Sequence, residues 1–221
     1  MKFVTILFSI ALGVLISAPG IDASETRKES PAKVAEGKGR AATQPNPDFQ
    51  KARESFLKRE FKASADAIRN GAAYFLKLQK RGEENRSEAF KASQEALAKL
   101  AHRVENGMVE SVEELDRTFA QAFHALSKYH YLKAAEFWAK KETVQAGQEL
   151  EAAGAYLERG AKQAGKKVES GVEAVIKDTR LLSGKMIHGA GWVSEEVEKG
   201  IKSLGVEIDR LGEKVKTRKK T

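Results

Sequence analysis

Imidazole chemistry in this chain rests on four histidines, and there is no cysteine to work beside them. Without a thiol there can be no disulfide, thiolate metal site, cysteine nucleophile or acylated lipoprotein cysteine, so thiol redox chemistry is excluded. His124 and His130 stand six residues apart and project from different faces of a helix. No histidine pair has the i, i+4 spacing that presents two ligands to zinc. His102 and Glu105, at i, i+3, come nearest to a metal pair, and a solvated helix face explains them better. A haem- or metal-dependent activity would have to draw on His102, His124, His130 or His188, and its mark would be stoichiometric metal in natively purified protein. Serine-nucleophile, glycosidase and dinucleotide patterns are absent, and no glycine-rich phosphate loop follows a strand. The expectation is a protein that is not an enzyme, with no catalytic residue, cofactor or metal.

Binding chemistry has better candidates. Tyr129, His130 and Tyr131, with Phe137 and Trp138 following, could line a groove, although aromatics at helical spacing usually belong to a core. The residues expected to meet a partner are Tyr129, Tyr131, Trp138 and Tyr156, joined by Val197, Ile201, Leu204, Ile208 and Leu211 from an apolar seam near the C-terminus.

The elements that must position them are helices. All four prolines lie at or before Pro47, and proline breaks helix interiors, so its absence from there on favours helices joined by short turns. From Asp48 the apolar residues recur at spacings of 3 and 4, and no alternating β-branched run is long enough for a sheet. The fold class is therefore all-α. A first helix capped by Asp48 carries Phe49, Ala52 and Phe56, and a second carries Phe61, Ala65, Ile68, Ala72 and Phe75. Arg81 to Asn85 breaks the second. A third helix runs from Ser87 to Val104 and stops at Asn106-Gly107. Ser111 and Glu114 form a capping box that starts a fourth, which reaches Phe137 and Trp138 before a turn at Lys140 to Thr143.

Shifting the chain against itself by 82 residues sets Phe56 to Glu60 on Trp138 to Glu142, Ile68 on Leu150, and Ala73 to Phe75 on Ala155 to Leu157. Each copy reads as one helix with a small residue (Ala52; Ala134), a basic-acidic turn, and a second helix with small or apolar residues at Ser64, Ile68 and Gly71, or Ala146, Leu150 and Ala153. This duplicated hairpin resembles a tetratricopeptide-like unit, in which small side chains let two helices approach and an exposed groove takes a partner segment. The Trp, Leu-Gly and closing Pro of that pattern are missing here. With the N-terminal apolar run Phe3 to Ala18 read as a signal peptide, about 200 residues after it and duplicated Ala-rich hairpins, the chain is also similar to the YfdX family of exported bacterial helical proteins. That resemblance implies a stress or chaperone-like role.

The C-terminal third has a different composition. Beyond residue 23, every aromatic except Trp192 lies between Phe49 and Tyr156. From Gly165 the seam runs Val168, Val172, Val175, Thr179, Leu182 and Met186. It resumes after Gly189 to Trp192 as Val193, Val197, Ile201, Leu204, Ile208, Leu211 and Val215. That is a heptad pattern with a stutter, expected as a long amphipathic helix over 165–215 whose glycines at 189–192 either hinge it or end one helix, with Ser194 available to cap the next. Charges along it balance. A helix so rich in Val and Gly has poor intrinsic propensity, so it must be held by packing in cis, in trans or on lipid.

The N-terminus is read as an address. Lys2 precedes an apolar run from Phe3 to Ala18, short of the roughly 20 residues that span a bilayer, and Ile21-Asp22-Ala23 offers a cleavage site. Residues 1–23 are thus expected to be a signal peptide directing a periplasmic or secreted product. Residues 24–47 form a polar linker, 48–164 a helical-hairpin domain of two related halves, and 216–221 a basic tail. Export and the lack of interleaved aromatics argue against nucleic acid as the partner of that tail. Weak contact with anionic lipid or cell-wall polymer fits better, within a net charge of +8. The reading is an exported helical scaffold, adaptor or chaperone-like binding protein acting through a groove between hairpins, with a protein partner or self-association through helices. The alternative is a lipid- or envelope-surface protein that uses its C-terminal helix.

Overall fold

The computed structural model describes residues 47–79, 88–165 and 169–217. Among them are seven helices and no strand, as the apolar periodicity requires. In chain order they are α1 (Asp48–Leu57), α2 (Phe61–Gln79), α3 (Glu88–Glu105), α4 (Val112–Ala139), α5 (Thr143–Ala164), α6 (Ser170–His188) and α7 (Ser194–Thr217). The expected signal peptide, most of the expected linker, the break at Arg81 to Asn85, Ser87, Val168 of the seam and the end of the basic tail lie outside the described residues.

Each helix packs on the next, which is what short connections enforce, and α7 then returns to lie on α4 and α5 while α1 also reaches α4. The turns stop helices by one repeated device. At Gly107, with φ of +67°, the Gly107 N–H reaches the Val104 carbonyl and the Met108 N–H the Arg103 carbonyl, the paired bonds of a Schellman motif. Arg59 and Lys141 hold the same left-handed position, at φ of 62° and 61°, without being glycine. Arg59 N–H bonds Phe56 O and Glu60 N–H bonds Ser55 O; 82 residues on, Lys141 N–H bonds Trp138 O and Glu142 N–H bonds Phe137 O, all four at 2.9 Å. Matching turns at that offset direct α1 into α2 and α4 into α5.

Two caps differ from expectation. Pro47 occupies the N-cap of α1, and Asp48 is its first helical residue, where a carboxylate faces the positive end of the helix dipole. Ser111 is the N-cap of α4, but its side chain makes no capping bond. Glu114 pairs with Arg103 of α3 instead of reaching back, because an ionic hydrogen bond to a guanidinium outcompetes a neutral backbone amide. The seam over 165–215 is also two helices. Gly189 ends α6 in a left-handed cap at φ of +74°, and Ser194 is the first helical residue of α7, not its cap.

Two cores result. The first joins α1, α2, α3 and the near face of α4 through rings: Phe49 stacks on Phe119 at 4.7 Å and meets Phe123 edge-on at 5.2 Å, and Phe75 packs on Phe90 at 4.7 Å. The second joins the far face of α4 to α5, α6 and α7 through Ala134, Ala146, Leu150, Ala153, Leu157, Leu182, Met186 and the seam of α7. Helix α4 is the shared wall. Each fully buried Phe or Leu adds about 1.5–3 kcal/mol of burial free energy.

Candidate functional site

The expected binding residues separate into three places. Tyr156 is wholly buried, with its hydroxyl donating to the Tyr74 hydroxyl at 3.2 Å, between the residues that the 82-residue shift superposes. Its ring stacks on His130 at 5.3 Å, and burial, then Tyr74, pushes its phenol pKa upward. Tyr129 is half-buried at the edge of the same aromatic core, packed against Phe90 of α3. Tyr129 keeps part of its surface open; Tyr156 belongs to the interior, which corrects its assignment to a partner surface. The same holds for Val197, Ile201, Leu204, Ile208 and Leu211, all buried against this chain's own helices, Ile201 with only an edge on the groove described next. An amphipathic stripe shows that a face is covered; its sequence does not say by what.

Tyr131, Trp138 and Ile201 do come together. With Ala135 of α4 and Gly205 and Val206 of α7 they line an open groove of about 370 Å³. Val206 is 46 % exposed in it. Gly205 lets the Tyr131 ring lie directly on α7 at the edge of this groove: a Cβ there would lie 2.8 Å from the Tyr131 hydroxyl oxygen and 2.9 Å from its ring. Trp138 is held edge-on by Trp192, at 5.6 Å, from the turn between α6 and α7. Glu198, Lys202 and Asp209 form a rim of mixed charge, and Lys128 joins the helices by an ion pair to Asp209 at 2.6 Å. Ala135, Gly205 and Val206 were not anticipated. The available signal was Gly205 and Gly212, seven apart and each beside a seam leucine, which marks where α7 receives a ring from α4, Tyr131 at the first and His124 at the second.

The histidines are not gathered. His102 is exposed and bonds Asn106, while Glu105 pairs with Arg69 of α2, so the i, i+3 pair serves two different partners. His124 faces α7 so closely that a Cβ on Gly212 would lie 2.6 Å from its Nε2. Desolvation, then Lys128, lowers the pKa of His124. His130 faces α5, with Nδ1 2.6 Å from a Glu149 carboxylate oxygen and Nε2 buried with no hydrogen-bond partner among the described residues. His188 is exposed at the end of α6. Among the described residues no three His, Asp or Glu side chains are grouped to hold a metal ion, and no helix is long and apolar enough to cross a membrane.

Comparison of the chain with family models, with curated proteins and with solved structures finds no match in any of the three.

Proposed function

We propose that this chain is an exported, non-enzymatic helical scaffold that holds an extended or helical polypeptide segment in a chaperone-like manner, with the groove between α4 and α7 as its binding face. The observation that carries the proposal is the placement of Tyr131 and Trp138 on one open apolar wall with Ile201 and Val206. Aromatic rings on a rigid helix give a large contact area at low entropic cost, the usual anchors of protein recognition. The likeness to tetratricopeptide-like hairpins and to the YfdX family belongs to this proposal; the turns matched at an offset of 82 residues support it. The apolar seam of α7 is occupied in cis, which favours this reading over a lipid-surface role for the same helix.

The test is suppression of light scattering from a heat-unfolded client protein. Val206→Glu places a charge in the groove at an exposed position, so the fold is retained while suppression falls several-fold. Equal suppression by wild type and Val206→Glu, or none by either, overturns the proposal.

A further inference from the structure

A second cleft, lined by α1, α5, α6 and Phe123 of α4, shares no lining residue with the α4–α7 groove. Its volume is about 540 Å³, within the roughly 300–1,000 Å³ of small-molecule sites. The apolar part of its lining is Phe123, Ala155 and Ile176. Gly154 brings α6 against α5 at one side, since a Cβ there would lie 3.0 Å from the Thr179 methyl.

The polar lining is biased toward positive charge. Arg53, Arg159, Lys162 and Arg180 face the cleft with Glu151 and Glu158, four cations against two carboxylates. Arg53 is engaged by Asp116 at 2.8 Å. Glu158 serves two cations at once, Lys162 at 2.6 Å and Arg180 at 3.2 Å, so that group keeps a positive excess. The Lys162 hydrogen bond, then the charges of Lys162 and Arg180, hold the Glu158 carboxyl below its ordinary range. Arg159 is half-buried and has no ion pair among the described residues. A partly desolvated guanidinium with no carboxylate partner has its planar donor fork available for an oxyanion, and neighbouring cations strengthen that preference.

We propose that this cleft binds a small organic anion, with a carboxylate or phosphate head on the Arg159 guanidinium and an apolar body along Phe123, Ala155 and Ile176. The two head groups share the chemistry of a planar or tetrahedral oxyanion accepting from guanidinium. The apolar body separates such a ligand from an inorganic ion, which would leave the partly exposed Ala155, in front of the buried Phe123 and Ile176, uncovered.

Isothermal titration calorimetry of the full chain with decanoate, decyl phosphate and decyltrimethylammonium tests it. At least one anion is expected to bind saturably at one site and the cation not at all; the tighter anion identifies the head. Arg159→Gln should weaken binding by about tenfold or more, and Ala155→Leu should block it by filling the cleft without changing charge. Circular dichroism verifies that both variants fold. Val206→Glu should bind the anion normally, which keeps failure here distinct from failure of the α4–α7 proposal. Equal binding of the cation, undiminished binding in both cleft variants, or no saturable heat from either anion would overturn the proposal.

Discussion

The aromatic core around α1 to α3 and the small-residue core around α5 to α7 use the same α4 wall in opposite ways. On one side Phe49, Phe119 and Phe123 fill the space between helices with rings. On the other, glycine is repeatedly the residue at the point of closest approach: Gly147 under Met186, Gly200 under Leu182, Gly205 under Tyr131, Gly212 under His124. The division is not absolute, because Gly71 seats the Phe49 ring in the first core. Interior hydroxyls help where side chains are small. Ser64 donates to the Ala52 carbonyl at 2.8 Å and Ser127 to the Ala153 carbonyl at 2.7 Å, joining α2 to α1 and α4 to α5. The difference teaches that one core is sensitive to removing atoms and the other to adding them.

The sharpest way to break that comparison is to remove a ring. Phe119→Ala leaves a cavity against Phe49 and is expected to cost about 3–5 kcal/mol in urea unfolding. A loss below about 1 kcal/mol would mean that the aromatic core can collapse around the gap. In the other core, one added methyl is enough. At Gly147 a Cβ would lie 2.9 Å from the Met186 Cβ and 3.1 Å from the Ser183 carbonyl oxygen, so backbone must shift. Overpacking of about 1–3 kcal/mol, less up to about 1 kcal/mol from alanine's better helix propensity, leaves Gly147→Ala net destabilising. A neutral or stabilised Gly147→Ala would sink the claim that closeness of α5 to α6 depends on the missing side chain.

The smallest effect concerns pH. His124, between α4 and α7, has its pKa lowered from 6.5 by burial and then by Lys128 and Lys216, with Asp209 opposing. Because the folded state disfavours the proton, the neutral ring's contribution to stability is complete above 6.5 and is lost as the pH falls through the folded-state pKa. Glu136, held to about 2 by hydrogen bonds from Lys140 and Lys133, and Glu158 stay ionised through the same range. The melting temperature of the wild type should therefore fall between pH 7 and pH 5, and His124→Gln should flatten part of that fall. An unchanged slope in the variant would show that the α4–α7 contact does not sense this ring.

Much of the architecture was legible because it follows from local rules. Proline absent beyond Pro47, Asn106-Gly107 and Gly189 as stops, and apolar spacing of 3 and 4 suffice to place most helices. Arg59 and Lys141 escaped as left-handed caps because basic residues carry no such signature. The shift that aligned Phe56 to Glu60 with Trp138 to Glu142 pointed to their turns without revealing their geometry. At the groove, Tyr131, Trp138 and Ile201 were foreseen, whereas Gly205 and Val206 were not, since a glycine beside a seam looks like a weak helix position until its neighbour is known. Arg53, Arg159, Lys162 and Arg180 were invisible as a group, being drawn from three helices with ordinary surface spacing.

By itself the sequence determined that the chain is helical, that its rings concentrate before Tyr156, and that one face of residues 193–215 must be covered. Only the tertiary structure decided that α7 covers itself with α4, α5 and α6 of the same chain, burying most of the expected partner residues and leaving Tyr131 and Trp138 at an open edge. Periodicity is a property of neighbouring residues, fixed by the helix repeat. The surface that answers it lies tens of residues away, and its choice depends on shape and volume that no local spacing encodes.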